Sequence, residues 1–162
     1  MFRRFAAVIL SAILLSPGWL GMTGMTLLIG FVPLLWVSAS YDDTRRSWWG
    51  MFGWATLAFV LWNALTIWYA TPVGPPAATL ASTTMNMIAF MLFHTVSKKA
   101  PKALAYVTLV TAWITTEYWY TVGDFSWPWL ILGNGFSHEV WAVQWYEYTG
   151  VFGGTLWVLL SN

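Results

Sequence analysis

Few side chains in this sequence could do chemistry, and Glu117 in "TAWITTEYWYTV" (111–122) stands out among them. A carboxylate inside an apolar helical run costs roughly 2.5–3.5 kcal/mol at the centre of a membrane and less near its surface. It must therefore either face a substrate cavity or take hydrogen bonds from an adjoining loop. His94 and His138 lack a His or Glu at a metal-ligand spacing on one helix face. His138 and Glu139 are adjacent, so a helix would point them to different sides. Both histidines read as structural. Asn63, Asn86 and Gln144 are amides suited to hydrogen bonds between helices. Asp42-Asp43 and Arg45-Arg46 make a compact, solvated turn. There is no cysteine, which excludes a thiolate nucleophile and disulfides within the chain. These residues form no nucleophile–base pair, phosphate loop or metal cluster. No catalytic residue, metal or cofactor is expected.

The elements that hold these groups belong in a membrane. The sequence is 59% hydrophobic and only 8% charged, against about 25% charged in soluble domains. A net charge of +1 gives no basic field for nucleic acid. Fourteen Trp point to a large area at the headgroup level. A span needs roughly 20 apolar residues, and the runs 5–20, 19–39, 48–70, 77–96 and 102–122 read as five, the first two as a tight hairpin. The run 149–162 begins a sixth, but its helical length would be only ~21 Å. The fold expected is an all-α, polytopic transmembrane bundle of about six spans, with the last span truncated. Arg3-Arg4 ahead of an apolar run also fits a signal peptide, but no A-x-A-like site follows.

The seven basic residues fall in three clusters, Arg3-Arg4, Arg45-Arg46 and Lys98-Lys99-Lys102. With the spans placed as above, all three lie on one side, which the positive-inside rule makes cytoplasmic. The N-terminus is then cytoplasmic, and the 71–76 turn and 123–148 loop lie outside. That loop holds Trp127, Trp129, Trp141 and Trp145 with three acids and no Lys or Arg. It reads as an aromatic ledge on the outer membrane surface.

From Glu117 onward the motifs have a recognisable order. Glu117-Tyr118 ends one span, and Trp127-Pro128-Trp129 follows with Leu130, Leu132 and Gly133-Asn134. Gln144, Gly150 with Gly153, and Asn162 come next. Upstream lie "GFVPLLW" (30–36) and "WNALTIWYATPVG" (62–74). This arrangement resembles the N-terminal membrane domain of bacterial apolipoprotein N-acyltransferases, over most of the chain and most specifically over 117–162. The resemblance implies that 1–162 is such a domain, in the bacterial inner membrane with its active side toward the periplasm. It also implies a phospholipid acyl donor and a diacylglyceryl lipoprotein as partners, engaged through a nitrilase-like catalytic domain that these residues do not include. A Cys nucleophile with Glu and Lys would act there by ordinary covalent catalysis, so Glu117 is not the family's catalytic Glu. The lipid- or substrate-side candidates are Glu117, Trp127, Pro128, Trp129, Asn134, Gln144 and Trp145. Alternatives are a non-enzymatic scaffold, a transporter-like bundle, or a split enzyme whose catalytic domain lies on another polypeptide.

Overall fold

The computed structural model describes residues 1–68, 74–122 and 128–162. They form an all-α bundle: α1 (Phe2–Leu15), α2 (Val32–Ala39), α3 (Arg45–Ile67), α4 (Gly74–Ser97), α5 (Lys102–Val122) and α6 (Tyr146–Ser161). Short 3-10 turns fill the connections before α2 and α6. Among the described residues, Phe2–Trp19, Arg45–Ile67 and Pro76–Ser97 are long and apolar enough to cross a membrane. The α5 helix is 21 residues long, but its Thr, Tyr, Trp and Glu residues dilute its hydropathy. The helices neighbour one another as α3 on α4, α4 on α5, α1 on α3 and α2, and α5 on α6.

Local chemistry explains where the helices start and stop. The α1 helix buries Val8, Ser11, Ala12 and Leu15, the 3–4 spacing of one helix face, and ends just before Pro17, which begins a 3-10 turn. Thr44 caps α3, its hydroxyl accepting from the Ser47 amide at 3.1 Å. Pro101 directly precedes α5, and a proline there needs no amide partner.

The expected continuous span over 19–39 does not form. Gly21 adopts φ +73°, Thr23 is extended, a 3-10 helix covers Gly24–Ile29, and α2 restarts at Val32. Four glycines and Pro33 across 18–33 favour breaks over an unbroken helix. Irregular backbone at membrane depth survives only where protein groups satisfy its amides, and here they do. Glu139 takes the Gly24 amide, with both carboxylate oxygens at 3.2 Å. Asn162 Oδ1 takes those of Phe31 at 2.7 Å and Val32 at 3.2 Å.

Tryptophan also departs from a purely interfacial role. Trp62 and Trp113 are 0% and 1% exposed, inside an aromatic core with Phe31, Phe59 and Phe90. Phe31 meets Trp113 edge-on at 5.0 Å and Phe59 meets it at 5.8 Å. Each ring pair of this kind adds about 0.5–1.5 kcal/mol beyond area burial.

The basic clusters share one end of the bundle. Arg4 donates to the Ser40 hydroxyl at 3.0 Å and carbonyl at 2.9 Å, while Lys98 Nζ donates to the Ser38 carbonyl at 2.8 Å. Two cations thus sit at the C-terminal end of α2, where free carbonyls carry partial negative charge. Arg45 lines the same pocket as Lys98 and Lys99. His94 is buried beneath them and shares a 2.7 Å hydrogen bond with Ser38.

Candidate functional site

Glu117 lies on the inward face of α5, with Ala105, Leu109 and Trp113, and is 6% exposed. Its Oε1 accepts from the Trp113 indole at 3.0 Å, one turn earlier, and from the Leu132 amide at 2.8 Å. Its Oε2 accepts from the Thr155 hydroxyl of α6 at 2.6 Å. Thr155 Oγ1 in turn accepts from the Gly133 amide at 3.3 Å, and the Tyr146 hydroxyl donates to the Gly133 carbonyl at 2.9 Å. The carboxylate therefore ties α5, α6 and the 3-10 turn Leu132–Phe136 together.

That turn is not a surface ledge. Leu132, Gly133, Gly135 and Phe136 are buried, and Phe136 stacks on Trp157 at 5.1 Å. A Cβ at Gly18 or Gly24 would strike the Gly135 carbonyl oxygen, and one at Gly133 would strike that of Val151. Backbone meets backbone along this seam because hydrogen-sized side chains allow it. The turn Leu132–Phe136 is thus pressed into the bundle between the broken 16–30 stretch and α6. Gly150, at φ +63°, breaks α6 near its start and lets Tyr146 turn back toward Gly133.

The remaining sequence candidates separate into two groups. Pro128 and Trp129 lie in the short 3-10 turn Pro128–Leu130. Trp129 is 51% exposed, and its carbonyl accepts from the Trp19 indole at 2.8 Å. Asn134 donates to the Pro128 carbonyl at 2.8 Å, closing that turn. Trp127 lies outside the described residues. Gln144 is exposed and donates to the Val140 carbonyl at 2.7 Å. Trp145 turns inward: its indole donates to the Ala142 carbonyl at 3.0 Å, and its ring meets Tyr146 and Trp157. Other large rings are exposed as well: Trp119 on α5, Trp141, and Tyr148 on α6, while the partly exposed Tyr118 ring meets Phe152 of α6 at 6.2 Å.

Sequence reasoning missed Glu139, Thr155 and the glycines at 18 and 135. Glu139 directly follows His138 in sequence, yet it is buried and bonded to Gly24 while His138 is exposed. An acid in an apolar stretch without Lys or Arg is the available signal. Asn162 is a four-bond lock: besides the two amides, its Nδ2 donates to the Leu27 and Val158 carbonyls, each at 2.8 Å. Among the described residues, no group of three His, Asp or Glu side chains converges as a metal site requires.

The comparisons with known proteins agree with this architecture. The chain is 30% identical over 142 residues to a protein of Chlorobaculum tepidum named apolipoprotein N-acyltransferase. That match covers 83% of the chain but only 25% of the relative's length. No solved structure matches. Residues 5–162 match the family described as the apolipoprotein N-acyltransferase N-terminal domain. With nearly its whole length matched and three helices among the described residues long and apolar enough to cross a membrane, the chain belongs to the apolipoprotein N-acyltransferase N-terminal domain family.

Proposed function

We propose that this domain is the membrane part of an enzyme that moves an acyl chain from a phospholipid to the amino group of a diacylglyceryl-cysteine on a lipoprotein. The catalytic Cys, Glu and Lys would belong to a nitrilase-like domain outside residues 1–162. The domain would sit in the bacterial inner membrane, with the Glu117 end toward the periplasm. The supporting observation is the outer segment itself, a rigid tied turn carrying exposed rings. Its bonds fix Trp129, Asn134 and Pro128 as one unit, while the rings of Trp119 and Trp141 are 66% and 76% exposed. Such a rim offers large apolar faces at low conformational cost to incoming acyl chains.

Trp127 and Trp129 are the lipid-side residues on this reading. Glu117, Asn134 and Gln144 hold the shape of the segment, and Trp145 braces it from behind. The transport alternative loses support because Glu117 is already committed to three donors. An ion-carrying carboxylate needs partners that change.

The test replaces Trp127 and Trp129 by Leu in the complete acyltransferase carrying this domain. Transfer to a diacylglyceryl-cysteine peptide is then followed at limiting phospholipid. A raised phospholipid requirement with an unchanged maximal rate is expected; an unchanged rate at limiting lipid would retire the reading.

A further inference from the structure

A groove of about 880 Å³ runs between α3 and α4, apart from the Glu117 tie. It extends along α3 from Trp48 to Trp68, a rise of about 30 Å, which matches the hydrocarbon thickness of a bilayer. Three of its four threonine hydroxyls are engaged: Thr56 and Thr84 donate to the Phe52 and Leu80 carbonyls, each at 2.8 Å, and Thr83 accepts from Asn63 at 3.0 Å. The groove therefore presents methyl and ring surface.

Trp48 forms the end wall, and the same side chain also lines a second pocket of about 370 Å³. The Trp48 indole is fixed by donating to Thr95 Oγ1 at 3.0 Å. The second pocket carries charges of both signs: Asp42, Asp43 and Arg45 from the α2–α3 connection and the start of α3, and Lys98 and Lys99 from just beyond α4. Partial burial pulls the Lys98 ammonium below its ordinary pKa, with Asp42 and Asp43 opposing the shift. An apolar trough as long as the hydrocarbon is deep thus meets a mixed-charge pocket at the shared Trp48 side chain.

We infer that groove and pocket together bind one glycerophospholipid with a zwitterionic, amine-bearing headgroup. An acyl chain lies along α3 and α4 past Phe52 and Ile88. The phosphate meets Lys98, Lys99 and Arg45, and the ammonium meets Asp42 and Asp43. An anionic headgroup would leave the two aspartates facing like charge, and diacylglycerol would engage neither sign. A second protein helix would fill the trough without matching the charges. The headgroup lies at the basic end of the bundle, opposite the Glu117 turn, so this lipid is a resident rather than the acyl donor. The inference rests on membrane insertion and not on the acyl-transfer reading.

Native mass spectrometry of the chain in detergent, titrated with phosphatidylethanolamine, phosphatidylglycerol or diacylglycerol, tests it. Phosphatidylethanolamine should be retained about fivefold or more over the other two. Lys99→Gln and Asp43→Asn, both at exposed positions, should each cut that retention about threefold or more. Ile88→Trp, which fills the groove from an exposed position, should cut it as well, with each variant's fold checked by thermal unfolding. Equal retention of all three lipids, a preference for phosphatidylglycerol, or full retention by the folded Ile88→Trp variant would overturn the assignment.

Discussion

Glu117 and Thr155, 38 residues apart in sequence, meet at 2.6 Å in the buried interior and join α5 to α6. The same carboxylate accepts the Leu132 amide, so one side chain fixes two helices and the turn packed against them. Removing it would leave an indole, an amide and a hydroxyl buried without their acceptor.

Glu117→Ala should therefore destabilise the domain by on the order of 3 kcal/mol, because each unsatisfied buried donor costs about 1–3 kcal/mol and some will find water. Glu117→Gln keeps an acceptor for Leu132 and should cost less. Thermal unfolding in detergent, followed by tryptophan fluorescence, gives the order. Equal midpoints for wild type and Glu117→Ala would contradict the tie.

The glycine seam makes a sharper steric prediction. Gly24→Ala sets a methyl against the Gly135 carbonyl, backbone that cannot step aside, and should cost about 1–3 kcal/mol. Gly53→Ala is the control: it sits inside α3 with nothing within 4 Å of the new carbon. It should be neutral or stabilise by up to about 1 kcal/mol. The two midpoints, measured side by side, should move in opposite directions or differ clearly in size.

Asn162→Ala removes the acceptor shared by the Phe31 and Val32 amides and should cost about 1–2 kcal/mol, as loss of a helix cap does. Hydrogen exchange should report it locally. The Phe31 and Val32 amides should exchange faster, while amides in the middle of α3 keep their protection. Uniform acceleration throughout the chain would mean that Asn162 acts globally rather than as a cap.

The long regular helices were legible because apolar run length carries its own signal: α3, α4 and α5 fall within a few residues of the runs 48–70, 77–96 and 102–122. Helix breaks were harder to see. The 19–39 run looks like one span by composition, and only Gly21, Gly24, Gly30 and Pro33 betray the 3-10 detour. Its stability depends on Glu139 and Asn162, more than 100 residues away, which no local pattern can reveal. The same holds for the segment between α5 and α6. Its Trp content announces an interface, yet the Leu132 amide is held inward by a carboxylate on another helix and Phe136 stacks on Trp157. Trp62 and Trp113 show the converse error, since composition alone cannot tell a belt indole from a core one.

Orientation is the point on which the account turns, because acyl transfer at the periplasmic face requires the Glu117 end to lie outside. Residues 1–162 contain no cysteine, so single cysteines report cleanly when these residues are expressed alone. Ser137→Cys lies exposed just after the tied turn, and Asp43→Cys lies exposed at the basic end. A membrane-impermeant maleimide applied to spheroplasts should label Ser137→Cys at once and Asp43→Cys only after lysis. The reverse pattern would put the aromatic rim in the cytoplasm and contradict the proposed function.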